Sequence, residues 1–436
     1  MKEKIYKLKN GGILIYEKSK LNNSSAVEVG FLVGSFNEKK MGTAHLLEHT
    51  LFKKTKNRTN KQVEQDRNKI VFLNASTSMD YLVIKFFRTN KLICESFKFA
   101  YDVLMNSIVD DEFLETEKNV IIEELLMCED SESRDIFVKN LKQAVSNSKS
   151  ASDIVGKTAS NIKSISFKDL LEFKRKFFIG NYFICSIVTS LPAYKVKKMI
   201  NNIFVKNIEY SLKAKILKKY YDNHNVNRES SVKIYKNNQE KVTVLISIKF
   251  DANELDIFAK NYNYVFLSRY FAGAQGDLFL KLRNLGLIYR LDSEIASFKT
   301  NSLFNIVFET SKEKIKDIIE IIANEVNFVT QNLIESDKIK SYKQNLEYSN
   351  DEKMPTKMTS KCHSNLLDYI CYQKVFHLTK KQKMKLRNDI SSEKVRLAAK
   401  EIFNKKNEIF VTALGNVTKS YLPTLEYFKS KFLIME

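Results

Sequence analysis

Two runs of alternating apolar residues organise the chain. Val27, Val29, Phe31 and Val33 alternate with Glu28, Gly30 and Leu32, and Val242, Val244, Ile246, Ile248 and Phe250 alternate with Thr243, Leu245, Ser247 and Lys249. Period two predicts strands covered on one face. Each run is followed by a further strand and a long helix: 81–87 then 92–108, and 303–308 then 313–329. In the last of these, Ile315, Ile318, Ile319, Ile322 and Val326 keep helical spacing. Each half closes on helix, then strand (182–189 and 409–414), then helix. The pairs Ile165/Ile390, Ser166/Ser391 and Phe178/Phe403 share one offset without a gap, and both serines fit as N-caps. The pattern predicts a diverged duplication. The expected fold class is α+β, with two similar domains, each a mostly antiparallel sheet covered by helices on one face. The expected division is 1–210, a lysine-rich linker at 211–229, and 230–436.

Composition agrees with this division. The chain has 436 residues, and a single core stops growing near ~250–300 residues. With 44% hydrophobic and 28% charged residues it is globular, not disordered. The formal charge of +21 raises the question of nucleic acid. The excess is lysine spread along the chain, without aromatics interleaved in a stacking platform, so no nucleic-acid partner is expected. No apolar run reaches ~18 residues, so no membrane span is expected. Five scattered cysteines without C-x-x-C spacing fit a reducing compartment. The N-terminus shows no secretory or transit pattern, which makes the cytoplasm the expected location.

The candidate chemistry lies in His45-Leu46-Leu47-Glu48-His49, which holds two of the chain's 5 histidines. On a helix, positions i, i+3 and i+4 share a face, so two imidazoles one turn apart can hold one ion with a carboxylate beside them. This is the inverted zinc motif. A catalytic zinc typically takes three protein ligands. The third must come from elsewhere, and the densest acidic stretch contains Glu115, Glu117, Glu123 and Glu124. Most of its members read as a solvated helix face. Glu117 and Glu124, seven apart, share one face and stand out. Glu123 points about a quarter-turn away.

The segment Gly42-Thr43-Ala44-His45-Leu46-Leu47-Glu48-His49-Thr50-Leu51-Phe52-Lys53-Lys54-Thr55 resembles the pitrilysin/insulinase family of zinc peptidases, in its short two-domain branch. The resemblance runs through essentially the whole chain. It implies one zinc per chain held by His45, His49 and Glu124, with Glu48 as the general base toward the zinc-activated water and Glu117 as an outer carboxylate that orients a ligand. Asn74, Ala75, Ser76 and Thr77 resemble the family's substrate-binding edge strand, which would capture an extended peptide by β-augmentation. In the second half, Arg283 and Tyr289 resemble an Arg/Tyr pair that reaches substrate, with one residue fewer between them than the family pattern. The first domain is thereby expected to be catalytic and the second to contribute those contacts. The resemblance implies a zinc endopeptidase for unfolded peptides or peptide precursors, paired as a homodimer or with a related subunit to form a chamber. A non-catalytic subunit on the same fold is the alternative, disfavoured because His45, Glu48, His49 and Glu124 are all present. A basic nucleic-acid-binding protein with an incidental zinc site is a third.

Overall fold

The computed structural model describes residues 4–20, 23–70, 72–108, 110–130, 132–144, 152–215, 217, 229–253, 256–273, 277–297, 301–348, 355–375 and 380–434. The chain forms two compact units, the first built from Met1–Met127, Ala151–Tyr220 and Asp351–His377, the second from Cys128–Ser150, Tyr221–Asn350 and Leu378–Glu436. The units interleave along the chain: residues 128–150 and 351–377 each lie in the unit opposite to the one that contiguous boundaries at 1–210 and 230–436 would give. Most of the linker expected at 211–229 lies outside the described residues.

The main sheet of the first unit has six strands: β1 (Lys4–Lys7), β2 (Ile13–Lys18), β3 (Ser24–Phe31), β4 (Phe72–Thr77), β5 (Leu82–Thr89) and β6 (Phe183–Thr189). Their order across the sheet is β1-β2-β6-β3-β5-β4. Only β2 and β6 run parallel. The second unit holds five: β7 (Ser231–Tyr235), β8 (Lys241–Phe250), β9 (Arg290–Ser297), β10 (Ser302–Ser311) and β11 (Glu408–Leu414). Their order is β7-β11-β8-β10-β9, read from the opposite edge. Every neighbour and every strand direction of the β2-to-β4 sheet recurs, with β7 and β11 as the one parallel pair. This is the α+β duplication expected from the sequence.

The matched serines act as expected. Ser166 caps the helix Phe167–Phe177, and Ser391 caps Ser392–Ile402, each hydroxyl accepting a backbone N–H of the first turn. Phe178 and Phe403 stand at the C-caps and are buried. The principal helices of each unit pack on one sheet face: Ile93–Asn106 sends Phe97, Ala100 and Val103 into the first core, and Ile315–Gln331 sends Ile318, Ile322 and Val326 into the second.

One detail departs from the period-two reading. β3 and β8 are buried on both faces, not one. In the first unit the helix Pro355–Tyr372 lies on the far face, where Met358 and Cys362 pack on Ala26 and Val188. The polar residues of that face are satisfied by the same helix. Ser186 donates to the Cys362 carbonyl (2.8 Å), Asn365 donates to Glu17 (2.9 Å), and the His363 imidazole meets Glu28 (3.0 Å). His363 is thus a structural histidine. In the second unit Glu132–Ala144 plays this part, with Ile136 on Leu245 and Leu414, and Asn140 and Gln143 bonded to Ser247 and Ser231. A buried polar group needs such partners, so the alternating polar residues mark a second interface and not a solvated face.

Candidate metal centre

The inverted motif lies on the helix Thr43–Thr50. Its entry is fixed by Gly42, which has φ 91, a left-handed conformation that suits glycine. A Cβ there would stand 2.5 Å from Ile162 Cδ1. Glu38 closes the N-terminus, one carboxylate oxygen accepting from Gly42 N–H (2.9 Å) and the other from Ala44 N–H (3.0 Å). Leu46, Leu47 and Leu51 are buried in the core. That anchorage turns His45, Glu48 and His49 to the other side of the helix.

The acidic pair lies on the helix Asp111–Asp130, anchored by buried Leu114, Ile121 and Leu125. Val120 on the same helix is exposed. Glu124 reaches both imidazoles: its oxygens lie 3.8 Å from His45 Nε2 and 3.6 Å from His49 Nε2. The three ligand atoms all lie within 4.8 Å of one another. Tetrahedral ligands at ~2.1 Å from a zinc stand roughly 3.4 Å apart, so this set fits the ion after small side-chain adjustments. Glu123 is exposed, as its rotation implies, and Glu115 is spent on Lys118 (2.7 Å).

Glu117 is buried and binds on both sides. One oxygen meets His49 Nδ1 (3.1 Å) and the other meets Lys53 Nζ (2.6 Å). It leaves His49 Nε2 turned toward Glu124, the arrangement that would fix the orientation of a ligand histidine. Burial works to raise the Glu117 pKa, but hydrogen bonds from His49 and Lys53 outweigh it and hold the carboxyl below its ordinary range. Burial works to lower the His49 pKa, but the Glu117 bond and the charges of Glu124 and Glu48 leave it raised. Burial dominates at Glu48 and raises its pKa, against the hydrogen bonds it accepts from Thr77. A carboxylate with a raised pKa, beside a set of donors that fits an ion, is suited to carry a proton.

Asn74, Ala75, Ser76 and Thr77 form the outer part of β4, the edge strand of the first sheet. Thr77 Oγ1 donates to Glu48 Oε2 at 2.8 Å. Arg283 and Tyr289 lie in the second unit. Arg283 lies in the last turn of the short helix Leu278–Asn284 with its guanidinium 5.8 Å from the Phe279 ring centre. Tyr289 donates its backbone N–H to Glu309 (2.9 Å) at the entry to β9 and is 69% exposed. Sequence reasoning missed Lys53 and Glu38. Lys53 lies within the motif segment, one turn after His49, and that spacing was the available signal. Glu38 lies in a loop whose geometry no periodicity reveals.

Two family models match end to end: "Insulinase (Peptidase family M16)" over residues 13–159 and "Peptidase M16 inactive domain" over 164–346. The chain belongs to the insulinase (M16) peptidase family. The motif falls in the first matched stretch of this M16 chain, and H-x-x-E-H does not recur in the second. The chain is similar to the human mitochondrial-processing peptidase subunit beta, 35% identical over 138 residues, which are 31% of this chain and 28% of that protein. The match thus spans under a third of the mitochondrial relative's length. It is also similar to an uncharacterized zinc protease of Rickettsia bellii, 23% identical over 74% of this chain and 77% of the relative. The fold matches a protease from Helicobacter pylori with a TM-score of 0.77 at 18% identity, covering 95% of this M16 chain and 99% of the other. Among the described residues, no helix is long and apolar enough to cross a membrane.

Proposed function

We propose that this M16 chain is a zinc-dependent endopeptidase that cleaves unfolded peptides or peptide precursors. One observation carries the reading: His45, His49 and Glu124 bring three ligand atoms within 4.8 Å of one another, with Glu48 on the same helix face. In that arrangement His45 and His49 would hold one zinc through their Nε2 atoms and Glu124 through its carboxylate. Zinc supplies Lewis acidity and makes water a nucleophile near neutral pH. Glu48 takes the proton of the attacking water and delivers it to the leaving amine. Glu117 keeps His49 turned toward the ion, and Lys53 keeps Glu117 in place. An extended peptide adds to the free edge of β4 along Asn74–Thr77 and is held by main-chain hydrogen bonds. Arg283 and Tyr289 are assigned to substrate by the family resemblance. We further propose that the chain works with a second chain, a copy or a related subunit, forming a chamber that admits unfolded peptides. The name of the mitochondrial relative, a beta subunit, supports this pairing.

The test is cleavage of a mixed peptide library by wild type, Glu48→Gln and chelator-treated protein, with zinc counted per chain. The expected result is about one zinc in wild type and Glu48→Gln, with cleavage by zinc-loaded wild type alone, reduced in Glu48→Gln by at least ~100-fold. Cleavage that survives Glu48→Gln or full removal of zinc would refute the assignment.

A further inference from the structure

The free edge of β4 ends on the general base. β4 pairs with β5 in the register Ala75↔Ile84 and Thr77↔Leu82. In an antiparallel edge strand, alternate residues turn their N–H and C=O inward to the neighbour or outward to the open edge. Ser78 N–H bonds inward to the Tyr81 carbonyl (2.8 Å), which sets the phase. Ala75 and Thr77 therefore face outward. The Ala75 N–H agrees: it is taken by its neighbour's side chain, Asn74 Oδ1 (3.0 Å). At Thr77 the hydroxyl donates to the Glu48 carboxylate, Oγ1 to Oε2 at 2.8 Å. Among the described residues, the hydrogen bond accepted by that carboxylate comes from Thr77.

We propose that Thr77 is the positioning residue of the general base: its hydroxyl clamps the Glu48 carboxylate to the end of the edge strand, so that a peptide paired along β4 meets the base at one fixed register. The inference rests on the peptidase reading above. A carboxylate on a free side chain samples several rotamers, and only one of them faces the reacting water. The clamp selects that rotamer through the strand that holds the substrate. Base and substrate thus share one frame, and the next outward position, Ala75, is left for the peptide. The Asn74 amide oxygen has to leave the Ala75 N–H when a peptide carbonyl takes its place.

Thr77→Val keeps the branched shape and removes the hydroxyl, whereas Thr77→Ser keeps the hydroxyl. With zinc content equal in all proteins, Thr77→Val is expected to lose about 10- to 100-fold in kcat with KM changed less than about threefold, the size of one hydrogen bond to a charged group. Thr77→Ser should recover to within about fivefold of wild type. Wild-type kcat in Thr77→Val, a loss confined to KM, or equal impairment in Thr77→Ser would overturn the clamp while leaving the peptidase reading intact. If wild type cleaves no peptide, the peptidase reading fails, and the clamp is decided by crystal structures. Glu48 should keep its place in wild type and Thr77→Ser and take another rotamer in Thr77→Val. An unmoved carboxylate in Thr77→Val rejects the clamp.

Discussion

At the scale of single residues, the least conspicuous member of the centre is Lys53. Its side chain is 31% exposed, yet it holds the buried Glu117 at 2.6 Å, and Glu117 in turn holds His49. Removing Lys53 leaves one oxygen of Glu117 without its cation and frees the carboxylate to turn away from His49. Outer partners of a ligand histidine are worth roughly 10- to 100-fold in metal affinity. Lys53→Met is accordingly expected to weaken zinc binding by about that factor, and Lys53→Arg by less. Competition against a chelator of known affinity measures it, and an unchanged zinc affinity would show that Glu117 holds His49 unaided. The shared face of His45, Glu48 and His49 was legible in the sequence because helix geometry fixes i, i+3 and i+4 on one side. Lys53 and Thr77 were not legible in these roles. A lysine one turn beyond the motif has the spacing of many solvated lysines, and the bond from Thr77 to Glu48 joins residues from a strand and a helix that only the folded unit brings together.

At the scale of elements, the helix Phe167–Phe177 shows what period and capping signals reveal and what they conceal. Ser166 and Asp169 form a capping box, and Lys40 adds an ion pair to Asp169 at 2.7 Å. The start of this helix, and of its counterpart after Ser391, could be read from the chain. Lys174 in its last turn could not. In sequence it is a C-terminal lysine on a helix, an ordinary solvated cation. In the structure its Nζ donates to Ser107 Oγ at 2.7 Å. Burial, and then the neighbouring Lys56 charge, push its pKa from the usual 10.5 down to about 7, against the pull of Asp102. The sign of the linkage follows. Between pH ~7 and ~10 the unfolded chain keeps a proton at this site that the folded chain releases, so the site's contribution to stability rises with pH. At pH 7 and below, folding carries the full penalty of a buried charge. Lys174→Met is expected to raise Tm most at pH 6–7, with a gain that shrinks toward pH ~10. A Tm difference between variant and wild type that stays flat across this range would count against a desolvated amine.

At the scale of the whole molecule, the duplicated sheet was legible because alternation, caps and a shared offset all recur in both halves. The exchange of helices between the halves of the sequence was not. Pro355–Tyr372 and Glu132–Ala144 each present a narrow apolar stripe, Met358 and Cys362 in one and Ile136 and Ala144 in the other, flanked by polar side chains that bond to the sheet. Such a helix has a weak period and nothing in its own sequence names its partner. The exchange has a measurable consequence. A fragment of residues 1–210 contains every zinc-centre residue and all of β1–β6, but lacks the helix that covers Ala26 and Val188 and bonds to Glu17, Glu28 and Ser186. Burial of Met358, Cys362 and the sheet atoms beneath them is worth about 3–5 kcal/mol. For a unit of this size that is roughly 10 °C in Tm. The fragment alone is therefore expected to melt about that much below the intact chain and to bind a hydrophobic dye. Co-expression with a segment spanning 351–377 should restore the melting temperature and suppress the dye signal. Zinc titration in parallel separates local from global effects: the fragment should still bind the ion, because His45, His49, Glu117 and Glu124 all lie within it. If residues 1–210 melt as high as the intact chain and bind no dye, the far-face helix adds nothing to the first unit and the contiguous division of the chain is the physical one.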